Sequence, residues 1–226
     1  MCGRYTMTSP ARFLEIFRPD AVQIDIDAPR FNVAPSQDVP VIIVTEGQRC
    51  MRAMRWGLIP SWADDPSIGN RMINARAETA ASKPSFRSAF RKRRCLILAD
   101  GFYEWQKTDD GKQPMFIRVD GGDPFAFAGL FERWDKGEQG PIESCTIMTT
   151  EANAVLSPIH HRMPVILPEE HYATWLDPDQ DNRDTLQAIL QPFNADRMDA
   201  YPVSRYVNSP RNQGKQCVQK DEGGEE

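Results

Sequence analysis

The run Cys95-Leu96-Ile97-Leu98-Ala99, followed by Tyr103-Glu104-Trp105-Gln106 and, beyond Thr108-Asp109-Asp110-Gly111, by Pro114-Met115-Phe116-Ile117-Arg118-Val119, decides the fold class. Its first five residues are apolar without a break and read as a central strand. The Asp-Gly pair between the next two segments is a hairpin signal. Upstream, Val39 to Thr45 is a β-branched run that reads as a buried strand, with Met51 to Trp56 as its partner. Downstream, Phe125 to Leu130, Cys145 to Thr149 and Pro164 to Leu167 read as further strands. Helical patterns are short. Ser9-Pro10 reads as an N-cap and first-turn proline ahead of Phe13, Leu14, Ile16 and Phe17, with Pro19 as the stop. Ser85 to Arg94 has helical spacing, with Phe86, Ala89 and Phe90 inward and Arg87, Arg91, Lys92 and Arg93 outward. Glu169 to Leu176 and Arg183 to Leu190 read as outer helices. Strands outnumber helices and do not alternate with them. This predicts an α+β fold, a single domain with a mostly antiparallel β-barrel-like core and flanking short helices.

Composition sets the limits. The 226 residues, 40% hydrophobic and 26% charged, suffice for one full core. The expected folded domain is 1–217, and the polar segment 218–226 is expected to be a disordered acidic tail. No apolar run approaches the roughly 18 residues of a membrane span, and the start lacks the regions of a signal peptide. A soluble, cytoplasmic protein is expected. Cysteines stand at 2, 50, 95, 145 and 217, with no Cys-x-x-Cys pair and three histidines in all. The expectation is therefore free thiols and no metal site. The net charge of −5 argues against bulk attraction to nucleic acid, so any such binding needs local basic patches.

The start, Met1-Cys2-Gly3-Arg4, carries the most chemistry. Removal of Met1 would leave Cys2 with its thiol beside the free α-amine, groups with ordinary pKa values of about 8.5 and about 7.7–8.0. An aldehyde can condense with such an amine to a Schiff base, and the thiol can then close a five-membered thiazolidine. Further on, Asn74 and Arg76 sit two apart, so in an extended segment they share a side and could present an amide and a phosphate-binding guanidinium. Glu104 between Tyr103 and Trp105 is a candidate acid/base in an aromatic cleft. His160 is another, with Arg162 two residues on as an anion anchor. Trp62 in Pro60-Ser61-Trp62 could stack on a base of single-stranded nucleic acid. The five basic residues between Arg87 and Arg94 could face a strand or only water. Each group has a plain alternative: a surface amide, a solvated carboxylate, a loop imidazole on a carbonyl, an aromatic capping the core. Residue types alone leave both readings open.

Taken in order, several segments closely resemble the SOS-response-associated peptidase (SRAP) family, the abasic-site processing proteins that include the bacterial YedK type. They are Met-Cys-Gly-Arg at 1–4, Asn-Val-Ala-Pro at 32–35, Trp-Gly-Leu-Ile-Pro-Ser-Trp at 56–62 and Asn-Ala-Arg-Ala-Glu at 74–78. Asp-Gly-Phe-Tyr-Glu-Trp at 100–105, Ile-His-His-Arg-Met-Pro at 159–164, Pro-Val-Ser at 202–204 and Val-Asn at 207–208 complete the set. The resemblance implies an α+β fold with a basic groove for single-stranded DNA. It implies that processed Cys2 traps the ring-opened aldehyde of an abasic site as a thiazolidine crosslink. Asn74 matches the residue that holds the α-amine end, Glu104 the acid/base of ring opening and Schiff-base formation, and His160 a residue that stabilises or reverses the linkage. Arg4, Arg76 and Arg162 match phosphate-contacting positions, Trp62 the stacking residue, and Thr149 a residue near the site.

The chain departs from some members at two places. His161 stands where they have Asp, and Ala63 where they have a second tryptophan. The implied partner is single-stranded DNA containing abasic sites, handled by a monomer without cofactor or metal. Met1 would be removed by an aminopeptidase or by the protein itself, and the crosslinking chemistry is lyase-like. On DNA the protein would be nucleoid-associated. Two rival readings remain: an N-terminal-nucleophile amidotransferase, which also begins Met-Cys-Gly, and a non-covalent single-stranded DNA binder.

Overall fold

Arg94 to Ala99 is buried at every position, as an unbroken apolar run demands of a strand with neighbours on both sides. The computed structural model describes residues 2–138 and 140–222. Its first half runs β1 (Tyr5–Met7), α1 (Pro10–Phe17), β2 (Ala21–Val22), β3 (Arg30–Val33), β4 (Asp38–Thr45), β5 (Gln48–Trp56), β6 (Asn74–Arg76), α2 (Ala77–Ala80) and α3 (Arg87–Lys92). Then follow β7 (Arg94–Ala99), β8 (Gly101–Thr108), β9 (Gly111–Val119), β10 (Phe125–Trp134), β11 (Ile142–Glu151), β12 (Arg162–Pro164), β13 (Ile166–Leu167), α4 (Tyr172–Leu176), α5 (Arg183–Ala188) and β14 (Met198–Pro202).

The central strand β7 pairs antiparallel with β10 and with β4, β4 continues to β5, and β10 to β11. The circle is completed by a parallel pairing, Arg55 opposite Ser144 and Trp56 opposite Cys145. Five strands thus form a ring with no free edge between them, the barrel-like core the sequence led us to expect. A second sheet, in the order β14-β9-β8-β1-β3, packs alongside. The main core fills both, while Tyr103, Phe116, Val203, Val207 and Cys217 form a smaller cluster on the far face of the second sheet. The hairpin stands as read: Thr108 opposes Gly111 around Asp109-Asp110, and Gly111 takes φ 117, a conformation glycine adopts without strain.

Some expectations need correction. Ser9 precedes α1 but makes no side-chain cap; its N–H donates instead to Asp100 Oδ2 at 3.1 Å. The outer helices are not merely outer, since Tyr172, Trp175 and Leu176 are buried. Pro164 to Leu167 splits between two strands, because Arg162–Pro164 pairs with β11 and Ile166–Leu167 with β10. Of the segment 218–226, residues 223–226 lie outside the described residues. Before them, Lys220 bridges to Val203 and the Asp221 N–H donates to the Pro202 carbonyl at 2.9 Å.

The clearest departure is Arg94, the end of the basic run. It opens β7 and is 3% exposed, with its guanidinium donating to the carbonyls of Trp175 (2.7 Å), Phe90 (2.8 Å), Arg91 (2.6 Å), Gln180 (3.0 Å) and Asp177. Burial pulls its pKa down to about 10, which leaves it charged near neutrality. It ties α3, α4 and the 177–180 loop to the barrel. Arg94→Met is expected to cost roughly 3–5 kcal/mol, because several carbonyls lose their donor at once. In a chain of this size that is a fall in Tm of roughly 10 °C. A change under about 2 °C in thermal unfolding would show that water replaces the guanidinium without loss.

Candidate active site

The N-terminus is held against β8. Tyr5 opposes Phe102 in the antiparallel β1–β8 pair, and the Tyr103 N–H donates to the Arg4 carbonyl at 3.0 Å. Carried two residues beyond the Tyr5–Phe102 pair, that register sets Gly3 opposite Glu104, and the carboxylate lies near enough to Cys2 to act on its thiol. Side chains alternate along β8, so Tyr103 and Trp105 turn to the other face, their rings 6.5 Å apart, and Glu104, 3% exposed, faces Cys2. Cys2 is fully buried. Its Sγ lies 3.8 Å from the Arg4 carbonyl oxygen, and Asn74 Nδ2 donates to the Cys2 carbonyl at 2.8 Å. Burial pushes the thiol pKa far up, and the Glu104 carboxylate adds to the shift. The thiol is therefore protonated near neutral pH.

The strand β11 assembles the rest. On one edge it pairs in parallel with β6, Ile147 opposite Asn74 and Thr149 opposite Arg76. On the other it pairs with β12, Thr149 opposite Pro164 and Glu151 opposite Arg162. Ala75 is buried, so Asn74 and Arg76 project together from the opposite face, as their spacing predicts. Arg76 is exposed. Arg162 is not: its side chain is 12% accessible, with NH1 and NH2 donating to the two Glu78 oxygens at 2.6 and 3.0 Å and NH2 also to the Thr149 carbonyl at 2.6 Å. The Arg162 hydrogen bond holds the Glu78 carboxyl below its usual range. Nδ1 of His160 lies 3.0 Å from the Arg162 backbone nitrogen and 3.1 Å from its carbonyl oxygen. The imidazole thus sits on the Arg162 backbone with one nitrogen committed. His161 stacks on it at 4.4 Å and is held below the ordinary imidazole pKa, first by His160, then by desolvation, Arg162 and Arg76.

Cys2, Asn74 and Glu104 are therefore brought together, and His160, Arg76, Arg162 and Thr149 gather at the end of β11 next to Asn74. Trp62 is 54% exposed, the most of any large hydrophobic side chain among the described residues. Arg4 donates to Asn32 Oδ1 (2.7 Å) and the Val207 (2.9 Å) and Asn208 (3.2 Å) carbonyls, and lies 5.8 Å over the Trp105 ring. It anchors the N-terminal segment to the C-terminal one. Thr149 is fully buried, with its hydroxyl directed to the Ala75 carbonyl at 3.4 Å and 3.3 Å from Arg162 NH2; it supports Arg162 from within.

The basic run divides: Arg94 is a strut, Arg93 pairs with Glu132 at 2.7 Å, and Arg87, Arg91 and Lys92 line a concavity of about 710 Å³ shared with Arg183 and Asp181. Two residues had no assigned role from sequence. Asn32, fully buried, donates to the carbonyls of Val207, Ser209 and Asn212 as well as accepting from Arg4. Glu78 neutralises Arg162. Both stood in segments already singled out, but their partners are distant in the chain. Among the described residues no cluster of His, Cys, Asp and Glu could hold a metal, and no helix is long and apolar enough to cross a membrane.

The family described as SOS response associated peptidase (SRAP) matches residues 1–210. The chain is 46% identical to the abasic site processing protein YoqW of Bacillus subtilis, over 97% of this chain and 99% of that one. It is 32% identical to the abasic site processing protein YedK of Escherichia coli, with the same coverage of 97% and 99%. A crystal structure of a Bacteroides thetaiotaomicron protein superposes with a TM-score of 0.87 at 28% identity, over 97% of this chain and all of that one.

Proposed function

The chain belongs to the SRAP family, and from that premise we propose that it processes abasic sites in single-stranded DNA by linking them covalently to Cys2 once Met1 is removed. The observation that carries this reading is the setting of Cys2, its carbonyl pinned by Asn74 and its thiol within the field of the Glu104 carboxylate.

The environment of the thiol argues for an order of events. A thiol that holds its proton is a poor nucleophile, so the α-amine attacks first. The α-ammonium gives a proton to the Glu104 carboxylate, and the free amine adds to the aldehyde carbon of the ring-opened sugar, giving a carbinolamine. Glu104 passes that proton to the departing hydroxyl, which leaves as water, and the protonated Schiff base remains. Glu104, a carboxylate again, accepts the thiol proton as sulfur bonds to the imine carbon, and the C=N electron pair returns to nitrogen, leaving the neutral thiazolidine N–H. One water is released overall. Asn74 fixes the Cys2 backbone so that amine and thiol meet the same carbon, and His160 acts on the formed linkage.

Incubation with a single-stranded oligonucleotide carrying one abasic site, followed by intact mass spectrometry, tests the reading. The expected species is the chain without Met1 plus the oligonucleotide minus one water. Recovery of only uncombined protein would overturn the proposal.

Strand binding before the reaction should separate the arginines. Arg76 is exposed and without an ion pair among the described residues, so Arg76→Ala should flatten the dependence of log K on log salt by about 0.7, one phosphate contact on a single strand. Arg162 already spends its guanidinium on Glu78, so Arg162→Ala should leave that slope nearly unchanged. Trp62→Ala should weaken binding by roughly 1–3 kcal/mol at constant slope, because stacking releases no counterions. Fluorescence anisotropy titrations at several salt concentrations check all three, and equal slope changes for Arg76 and Arg162 would contradict the assignment.

A further inference from the structure

We propose that Glu78 is a positioning residue for the same site: its carboxylate fixes Arg162, and through Arg162 the His160 imidazole. The inference rests on the reading of the site given above and adds a residue to it. Glu78 is the second residue of α2, which follows β6 directly on one edge of β11, while Arg162 opens β12 on the other. Their two hydrogen bonds, at 2.6 and 3.0 Å, therefore span the end of β11 and join the segment that carries Asn74 to the one that carries His160.

The pairing is demanding. Arg162 has a side chain only 12% accessible and a buried Nε with no hydrogen-bond partner, so its charge depends on Glu78 and on the Thr149 carbonyl. Deleting a carboxylate from such a pair leaves a nearly buried cation, which then turns toward solvent. The consequence reaches the imidazole, because His160 Nδ1 is seated on the backbone nitrogen and oxygen of Arg162 itself, at 3.0 and 3.1 Å. Without the side-chain anchor to Glu78 and Thr149, the first residue of β12 is held by its backbone pairing alone, and the backbone that seats the imidazole is less firmly fixed. Glu78 touches neither the aldehyde nor Cys2 in this scheme; it acts through two intervening contacts.

A double-mutant cycle between Glu78→Ala and His160→Gln tests this, read as the single-turnover rate of adduct formation and the lifetime of the adduct on abasic single-stranded DNA. Affinity for the undamaged strand and Tm are measured alongside. In the wild-type background Glu78→Ala is expected to change, by about tenfold, the same quantity that His160→Gln changes. In the His160→Gln background it should change that quantity by less than about twofold. Should Glu78→Ala not fold at the assay temperature, Glu78→Gln carries the same cycle. Additive effects would overturn the inference, as would a His160→Gln protein equal to wild type in both rate and lifetime. A Glu78 variant that binds undamaged strand more tightly and reacts normally would make Glu78 a guard on Arg162 instead, and overturns it too. A wild-type protein that forms no adduct would instead remove the proposed function beneath it.

Discussion

Cys2→Ala is expected to yield no stable adduct with abasic DNA under conditions where the wild-type chain is fully converted, while its affinity for undamaged strand stays within about twofold. The first half follows from the chemistry: alanine keeps the α-amine and can still form an imine, but nothing closes the ring. The variant should therefore be trapped by borohydride and otherwise released on denaturation. The second half follows from the smallness of the change, since removing one sulfur leaves the exposed Arg76 and Trp62 side chains in place. Cys2→Ser should behave like the alanine variant, because a hydroxyl is a far weaker nucleophile than a thiol at neutral pH. A chain extended by one residue before Cys2 keeps the thiol but moves the amine away from it, and it too should fail. A heat-stable adduct from the extended chain, seen by intact mass, would show that the thiol reacts without the neighbouring amine and would end the thiazolidine mechanism.

The parts of the fold that could be read in advance were those whose signal is local. Cys95 to Ala99 announced a central strand by continuous apolarity, and Asp110-Gly111 announced a hairpin by backbone chemistry. The closure of the barrel has no such mark: Arg55 and Trp56 meet Ser144 and Cys145 across almost 90 residues, and nothing in either segment names the other. Arg94 misled for a related reason. In a run of cations it reads as one more solvated charge, and only the convergence of carbonyls from α3, α4 and the following loop gives it a buried seat. The site shows the same division. Asn74, Arg76 and Glu104 project as strand alternation predicts, because each lies in a regular strand. The sequence offers Arg162 as an anion anchor beside His160, and nothing near it in the chain announces that its guanidinium pairs with Glu78, 84 positions away. The thiol of Cys2 was read at its solution pKa; burial, a property of the whole molecule, moves it.

Glu104→Gln carries the second large effect, a slowing of adduct formation by roughly 100- to 10,000-fold with strand affinity and Tm little changed. Glutamine matches glutamate in shape, so the packing of β8 against the N-terminal segment persists, and what is lost is the capacity to give and take a proton. One consequence of the swap runs the other way. The Glu104 carboxylate raises the Cys2 thiol pKa, so its removal makes the thiol somewhat more acidic; burial, the larger cause, remains in place. The gain is therefore small beside the loss of the shuttle. The two roles of Glu104 can be separated by substrate. A closed abasic sugar must first open, and an open-chain aldehyde of the same strand has no ring to open. If Glu104 assists ring opening, Glu104→Gln is partly rescued on the open-chain substrate. If its main work is the proton exchange of carbinolamine and thiol, the defect is equal on both. Single-turnover crosslinking on the two substrates reads the difference, and wild-type rates on both would remove Glu104 from the reaction.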